Sequence, residues 1–168
     1  MTNIKSIIIS LLLTTLLVAC SSVDCDTMGR VTCNIAIQNE AGESYSIPWY
    51  LSVTITRSID GNDTTIINKE YNDDTINLPM SYVGDSDEYT ITLENDDENP
   101  TKTLTDKITI SKTNKPYFDG IDCAPRYNHT ITNLEYTDNF IESLELKNNY
   151  VTNNASITNI ILRIRSLE

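Results

Sequence analysis

Basic charge, histidine and glycine are all scarce in this chain, and each shortage excludes a class of function. Twelve Lys+Arg face 24 Asp+Glu, a net charge of −12 at pH 7, so nucleic acid repels it, as does an anionic membrane surface away from any anchor of its own. A single histidine, His129, leaves no second imidazole at ligand spacing, which argues against a zinc centre. With five glycines in 168 residues there is no Gly-rich phosphate loop, and neither a nucleophile elbow nor a zincin helix occurs. No Cys-x-x-Cys pair is present. Past Cys20, apolar residues nowhere hold helical spacing for three turns. Internal repeats are absent too.

What is present begins with an export signal. Lys5 supplies a positive start, Ile7 to Val18 an apolar segment, and Val18-Ala19-Cys20 a cleavage site. The apolar segment is short of the roughly 20 residues that a bilayer span needs, and two threonines interrupt it. Leu17-Val18-Ala19-Cys20 reads as a lipobox, in which the cysteine is acylated on sulfur and becomes the new N-terminus. The boundaries that follow are a signal peptide over 1–19, a lipid anchor and tether over 20–29, and one domain over 30–168. Several acyl chains, palmitate among them, anchor stably where one holds only marginally. Ser21 after the cysteine favours the outer membrane, and the lack of an acidic run there favours a fold facing the periplasm over the cell surface.

The acids cluster at Asp60 and Asp63, Asp73-Asp74, Asp85 to Glu88 and Asp96 to Glu98. None matches the spacing of an EF-hand loop, and Asp and Asn favour turns for local hydrogen-bonding reasons. No metal or cofactor is expected. Three cysteines remain once Cys20 is lipidated. Cys33 shares the apolar face of an alternating segment with Val31, Ile35 and Ile37, and reads as a buried thiol. Cys25 and Cys123 each follow an aspartate in a loop-like setting, and outside the cytoplasm they are expected to pair. Such a bridge closes a loop of about 100 residues, worth up to about 4.7 kcal/mol in the chain-entropy model.

The domain itself reads as strand after strand. Leu51, Val53 and Ile55 alternate with Ser52, Thr54 and Thr56, and Asp60-Gly61-Asn62-Asp63 turns the chain into Thr64 to Asn68. Tyr89, Ile91 and Leu93 alternate likewise, as do Ile108 and Ile110. Tyr127, His129 and Ile131 share a face; Leu144 and Leu146, then Ile160, Leu162 and Ile164, follow. Eight or nine short strands predict an all-β fold, an antiparallel β-sandwich (Ig-like), with a small β-barrel as alternative.

Several ordered segments resemble an uncharacterised family of Bacteroidota lipoproteins, known only as a domain of unknown function. They are Ser22-Val23-Asp24-Cys25, Leu78-Pro79-Met80-Ser81-Tyr82, Thr113-Asn114-Lys115-Pro116-Tyr117-Phe118, Asp122-Cys123, His129-Thr130-Ile131-Thr132 and Phe140-Ile141-Glu142-Ser143-Leu144. Glu142 stands where the family has aspartate, and Ala124 where it has glycine or serine. The resemblance implies an envelope lipoprotein of β architecture with Cys25 and Cys123 bridged. Its members tend to be encoded beside an outer-membrane β-barrel protein, which implies a partner. It implies no activity.

His129 is the obvious acid–base candidate, though a buried, hydrogen-bonded strand histidine is the expectation. Trp49 and Tyr50, with Tyr45 near, form either an aromatic platform for a ligand or partner or the start of a strand with Trp49 in the core or rim. Thr27, Thr64 and Thr75 lie in Asp-Thr-apolar triplets that resemble Bacteroidota O-glycosylation sites. The expected function is a non-enzymatic outer-membrane lipoprotein that docks on an envelope protein complex. The alternative is a glycan- or peptide-binding module, and a small two-carboxylate hydrolase is the third reading.

Overall fold

The computed structural model describes residues 31–56, 62–95, 101–118, 120 and 123–167; Cys20, Cys25 and Thr27 fall outside them. Among the described residues there is no helix, and the strands number ten. They are β1 (Thr32–Gln38), β2 (Tyr50–Thr56), β3 (Asp63–Tyr71), β4 (Thr75–Pro79), β5 (Ser86–Asn95), β6 (Lys102–Tyr117), β7 (Arg126–Tyr136), β8 (Ile141–Leu146), β9 (Tyr150–Val151) and β10 (Ile160–Ile164). One sheet has the order β4-β1-β10-β8, the other β3-β2-β5-β6-β7-β9, and one of the two curls into a half-barrel. The all-β expectation holds.

The strands form where apolar residues recur at every second position, because successive side chains leave a strand on opposite faces. In β5, residues 87, 89, 91 and 93 are buried while their neighbours are half-exposed. Leu51, Val53 and Ile55 do the same in β2, and Ile108 and Ile110 in β6. These inward faces join β1, β4 and β10 in one apolar cluster that includes Cys33, Trp49, Phe140 and Leu162. A buried Leu, Ile or Phe side chain contributes about 1.5–3 kcal/mol relative to exposure, so the cluster outweighs any single polar contact.

Two features differ from the sequence reading. The sandwich is not wholly antiparallel, since β1 and β10 pair in parallel, Ile35 opposite Ile160 and Gln38 opposite Arg163. Asn34 and Asn159 lock the entry to that pairing: the Asn34 amide donates to Asn159 Oδ1 (3.0 Å) and the Asn159 amide to the Asn34 carbonyl (2.8 Å). The second is β4, whose Ile76 and Leu78 are fully buried. Its flanking Asp73-Asp74 read as a turn, and Pro79 sits at the strand end on a sheet edge, where no ladder donor is required.

The strand directions define two ends. β1 begins beside β4's end, Thr32 opposite Pro79, and the Met80 amide donates to the Val31 carbonyl (3.0 Å). The 81–85 loop and the start of β5 lie at this end. At the other end, Tyr50 of β2 pairs with Tyr71 of β3 and with Glu94 of β5. β6 pairs with β5 up to Ser111, opposite Ser86, and then with β7 to Tyr117, opposite Arg126. At about 3.3 Å per residue its last six residues run about 20 Å past β5. The β6–β7 hairpin thus overreaches the sheet at the Val31 end.

Candidate functional site

The alternation that buries Ile108 and Ile110 continues in both directions, so Asp106 and Lys112 also face inward. In β5 the same period turns Asp87 inward beside Tyr89. Lys112 Nζ lies 3.2 Å from Asp87 Oδ2, and both side chains are almost wholly buried. Leaving either charge alone there costs several kcal/mol, so the pair survives only because each has its partner. Burial pushes the Asp87 carboxyl above its ordinary range, against the opposing pull of Lys112 and of the Ser81 amide. That amide donates to Asp87 Oδ2 (3.1 Å), which ties the 81–85 loop to the buried pair.

His129 joins the cluster from β7. It is 2 % exposed, and its Nδ1 lies 2.8 Å from Asn114 Oδ1. Asn114 Nδ2 donates to the carbonyls of Gly84 (2.7 Å) and Tyr82 (3.3 Å). Its Oδ1 is therefore the acceptor, and Nδ1 of the imidazole carries the proton. Burial first, and the Lys112 charge second, push the His129 pKa down to about 4. The ring is neutral at pH 7 and gives up no proton there, so in this state it serves as a positioning strut for Asn114 and the loop. Gly84 adopts φ of +81°, a left-handed conformation that suits glycine and that turns its carbonyl toward Asn114 and Lys112.

Above this cluster Tyr82 stacks on Tyr127 with ring centroids 5.3 Å apart and planes 16° apart. Tyr82 is 53 % exposed, and Val83 and Phe118 are exposed as well. The buried charges therefore hold in place an exposed aromatic surface.

A second polar knot lies toward the opposite end. Asp106, 1 % exposed, accepts four hydrogen bonds from the β7–β8 connection. They come from Thr137 Oγ1 (2.5 Å), the Asn139 amide (3.0 Å), the Phe140 amide (2.8 Å) and the Ile141 amide (2.9 Å). One carboxylate thus satisfies a corner that would otherwise leave several donors unpaired.

The residues singled out in the sequence do not converge. Trp49 is 5 % exposed and belongs to the apolar cluster, with Lys102 Nζ 5.5 Å from its ring centroid, so it offers no open platform. Tyr50 is half-buried and meets Tyr71 at 5.4 Å between centroids, with Lys69 Nζ 5.9 Å from the Tyr50 ring. Thr64 and Thr75 are exposed, on the edge strands β3 and β4. Cys33 is a free, fully buried thiol whose pKa burial pushes up to about 12. Cys123 is 8 % exposed; Cys25 lies outside the described residues. Lys112, Asp87 and Asp106 join the site unannounced by any motif, although the period of two in β5 and β6 places them inward.

Among the described residues no group of three or more His, Cys, Asp and Glu side chains could hold a metal ion. The grooves are open. One of about 280 Å³ lies between the free edges β3 and β4, lined by Ile67, Glu70, Asp73, Thr75 and Asn77. Another of about 420 Å³ lies along β1 and β4. Neither is the apolar, enclosed cleft that a drug-sized ligand prefers. Compared with known protein families, residues 51–163 match a family of unknown function (DUF6452). No curated protein and no solved structure matches the chain.

Proposed function

We propose, for a chain that belongs to a family of unknown function (DUF6452), a role as a non-enzymatic outer-membrane lipoprotein of Bacteroidota that docks on an envelope protein. Lipid on Cys20 fixes the domain at the membrane. A Cys25–Cys123 bridge holds the tether against the β6–β7 hairpin, and a free sheet edge recognises the partner, a β-barrel protein or a complex built on one. The fold faces the periplasm.

The observation that carries this reading is Tyr71. It is 58 % exposed, it ends the edge strand β3, and it lies at the end of the sandwich opposite Val31, where the tether enters. Packed against Tyr50 and next to Lys69, it is an anchor of the kind that protein interfaces favour. The open edges of β3 and β4 also suit an added strand from a partner. Their exposed Thr64 and Thr75, if glycosylated, would narrow that access. Glycan or peptide binding is the second reading, favoured by the groove between β3 and β4, with exposed Tyr71 at the end of the same strand β3.

The test is affinity capture of the tagged, lipidated protein from detergent-solubilised native envelopes, beside Cys20→Ser and Tyr71→Ala. A stoichiometric envelope partner lost in both variants supports the role. Capture that Tyr71→Ala leaves unchanged removes β3 as the docking edge.

A further inference from the structure

Two surfaces carry exposed aromatics, and they lie at opposite ends. The Tyr50–Tyr71 pair lies at the end opposite Val31, whereas Tyr82, Val83 and Phe118 lie at the Val31 end. We infer that this second surface docks on the phospholipid interface, as a direct membrane contact additional to the lipid on Cys20. The inference rests on the reading that Cys20 is lipidated.

Chain length sets the geometry. Cys20 precedes Val31 by eleven residues, so the fully extended tether spans at most about 40 Å. The hairpin that overreaches β5 by about 20 Å points from the same end. With Cys25 bridged to Cys123, only five residues separate the lipidated position from the hairpin loop, a reach of at most about 18 Å. A domain on so short a lead cannot hold its tether end far from the headgroups.

The surface suits that depth. Tyrosine and phenylalanine rings settle at the membrane–water boundary, where one side is apolar and the other wet. Phe118 is 66 % exposed and Tyr82 53 %, an unfavourable display in water for two large rings. The Tyr82 ring and its loop are also pre-positioned. Asn114 holds the Tyr82 and Gly84 carbonyls, Ser81 Oγ donates to the Val83 carbonyl (3.0 Å), and Tyr127 stacks beneath Tyr82. Little side-chain or loop entropy is left to lose on docking. Lys115, exposed on the same hairpin, adds a positive charge where anionic headgroups would lie, in a chain otherwise strongly acidic.

The test uses the full lipidated chain in vesicles of phosphatidylethanolamine, phosphatidylglycerol and a phosphatidylcholine brominated on its acyl chains. Two variants, Phe118→Trp and Tyr71→Trp, place a reporter at each end; buried Trp49 is a shared background. The expected result is that brominated lipid lowers the added fluorescence of Phe118→Trp to about half or less, as contact with acyl chains requires, and leaves Tyr71→Trp unchanged. Val83→Trp repeats the near-end measurement at an independent position. Intact mass and vesicle flotation separate the two readings. An acylated protein that floats but shows no quenching at positions 118 and 83, or equal quenching at 71, overturns the docking alone. A protein without acyl mass overturns the lipidation and the docking together. Protection of position 118 by an envelope protein but not by vesicles assigns the surface to that protein and likewise overturns the inference.

Discussion

Asp106 offers the sharpest test of how the corner between the two sheets is held. Asp106→Ala removes both acceptor oxygens at once and orphans the Phe140 and Ile141 amides, which are buried, together with Thr137 Oγ1 and the Asn139 amide, which are not fully so. A buried donor left unpaired costs about 1–3 kcal/mol. The two buried amides therefore cost about 2–6 kcal/mol, and the other two, able to turn to water, about 0.5–1 each. Allowing for local relaxation, the expected loss is about 3–5 kcal/mol out of a total stability of about 5–15. Asp106→Asn keeps one acceptor oxygen and should lose less, about 1.5–3 kcal/mol. Asp138→Ala, on an exposed neighbour, should stay within about 0.5 kcal/mol. Urea unfolding with an unchanged slope measures all three. If Asp106→Ala unfolds within about 1 kcal/mol of the parent, or no earlier than Asp106→Asn, the carboxylate does not carry the corner.

Lys112→Met should cost about 3–5 kcal/mol by leaving Asp87 buried and unpaired, whereas Asp87→Leu with Lys112→Met should recover most of that loss; a double variant no better than the single would refute the pairing. His129 has a folded pKa depressed from 6.5 to about 4, so its neutral form is the one the fold prefers. Its contribution is complete above pH 6.5 and is lost as pH falls toward 4. Urea midpoints across that window should decline in the parent and flatten in His129→Gln, and equal slopes would exclude the histidine as the cause. Cys33, with its pKa raised to about 12, should resist alkylation at pH 8 until denaturant is added; labelling of the native protein would show the thiol is accessible. Peptide mapping without reductant should join Cys25 to Cys123, and a Cys33-containing link would overturn that pairing.

The legible parts of the fold were those set by neighbours in sequence. Leu51-Val53-Ile55 and Tyr89-Ile91-Leu93 announce their strands because a period of two needs no knowledge of the partner strand. Cys33 reads as buried for the same reason. The polar cluster was harder, because Asp87, Lys112 and Asp106 belong to residue types that are almost never fully buried unless paired. Composition then outweighed the alternation that placed them inward. Each partner becomes visible only after β5, β6 and β7 lie side by side. The Asn114 bridge to His129 depends on a bulge between Ser111 and Lys112, which shifts the register of β7 and leaves no mark in the sequence. Trp49 illustrates the converse: an aromatic pair looks like a platform until the sheet turns its larger member inward.

The side-by-side placement of β1 and β10 has a consequence for the order of events in folding. Ile35 meets Ile160 across 125 residues, and β10 fills the place between β1 and β8 in its sheet. Until it arrives, β1 has only β4 beside it and β8 has no partner in that sheet. Much of the six-stranded sheet can form from the β2–β3, β5–β6 and β6–β7 hairpins, but the four-stranded one must wait for a closing strand. Closure over so long a separation is slow in proportion to its entropy cost. During folding the chain thus passes through a stage with one sheet formed and one open. That interval, with Ile35, Ile37 and Cys33 uncovered, is when the molecule is most exposed to aggregation or to a chaperone's grasp.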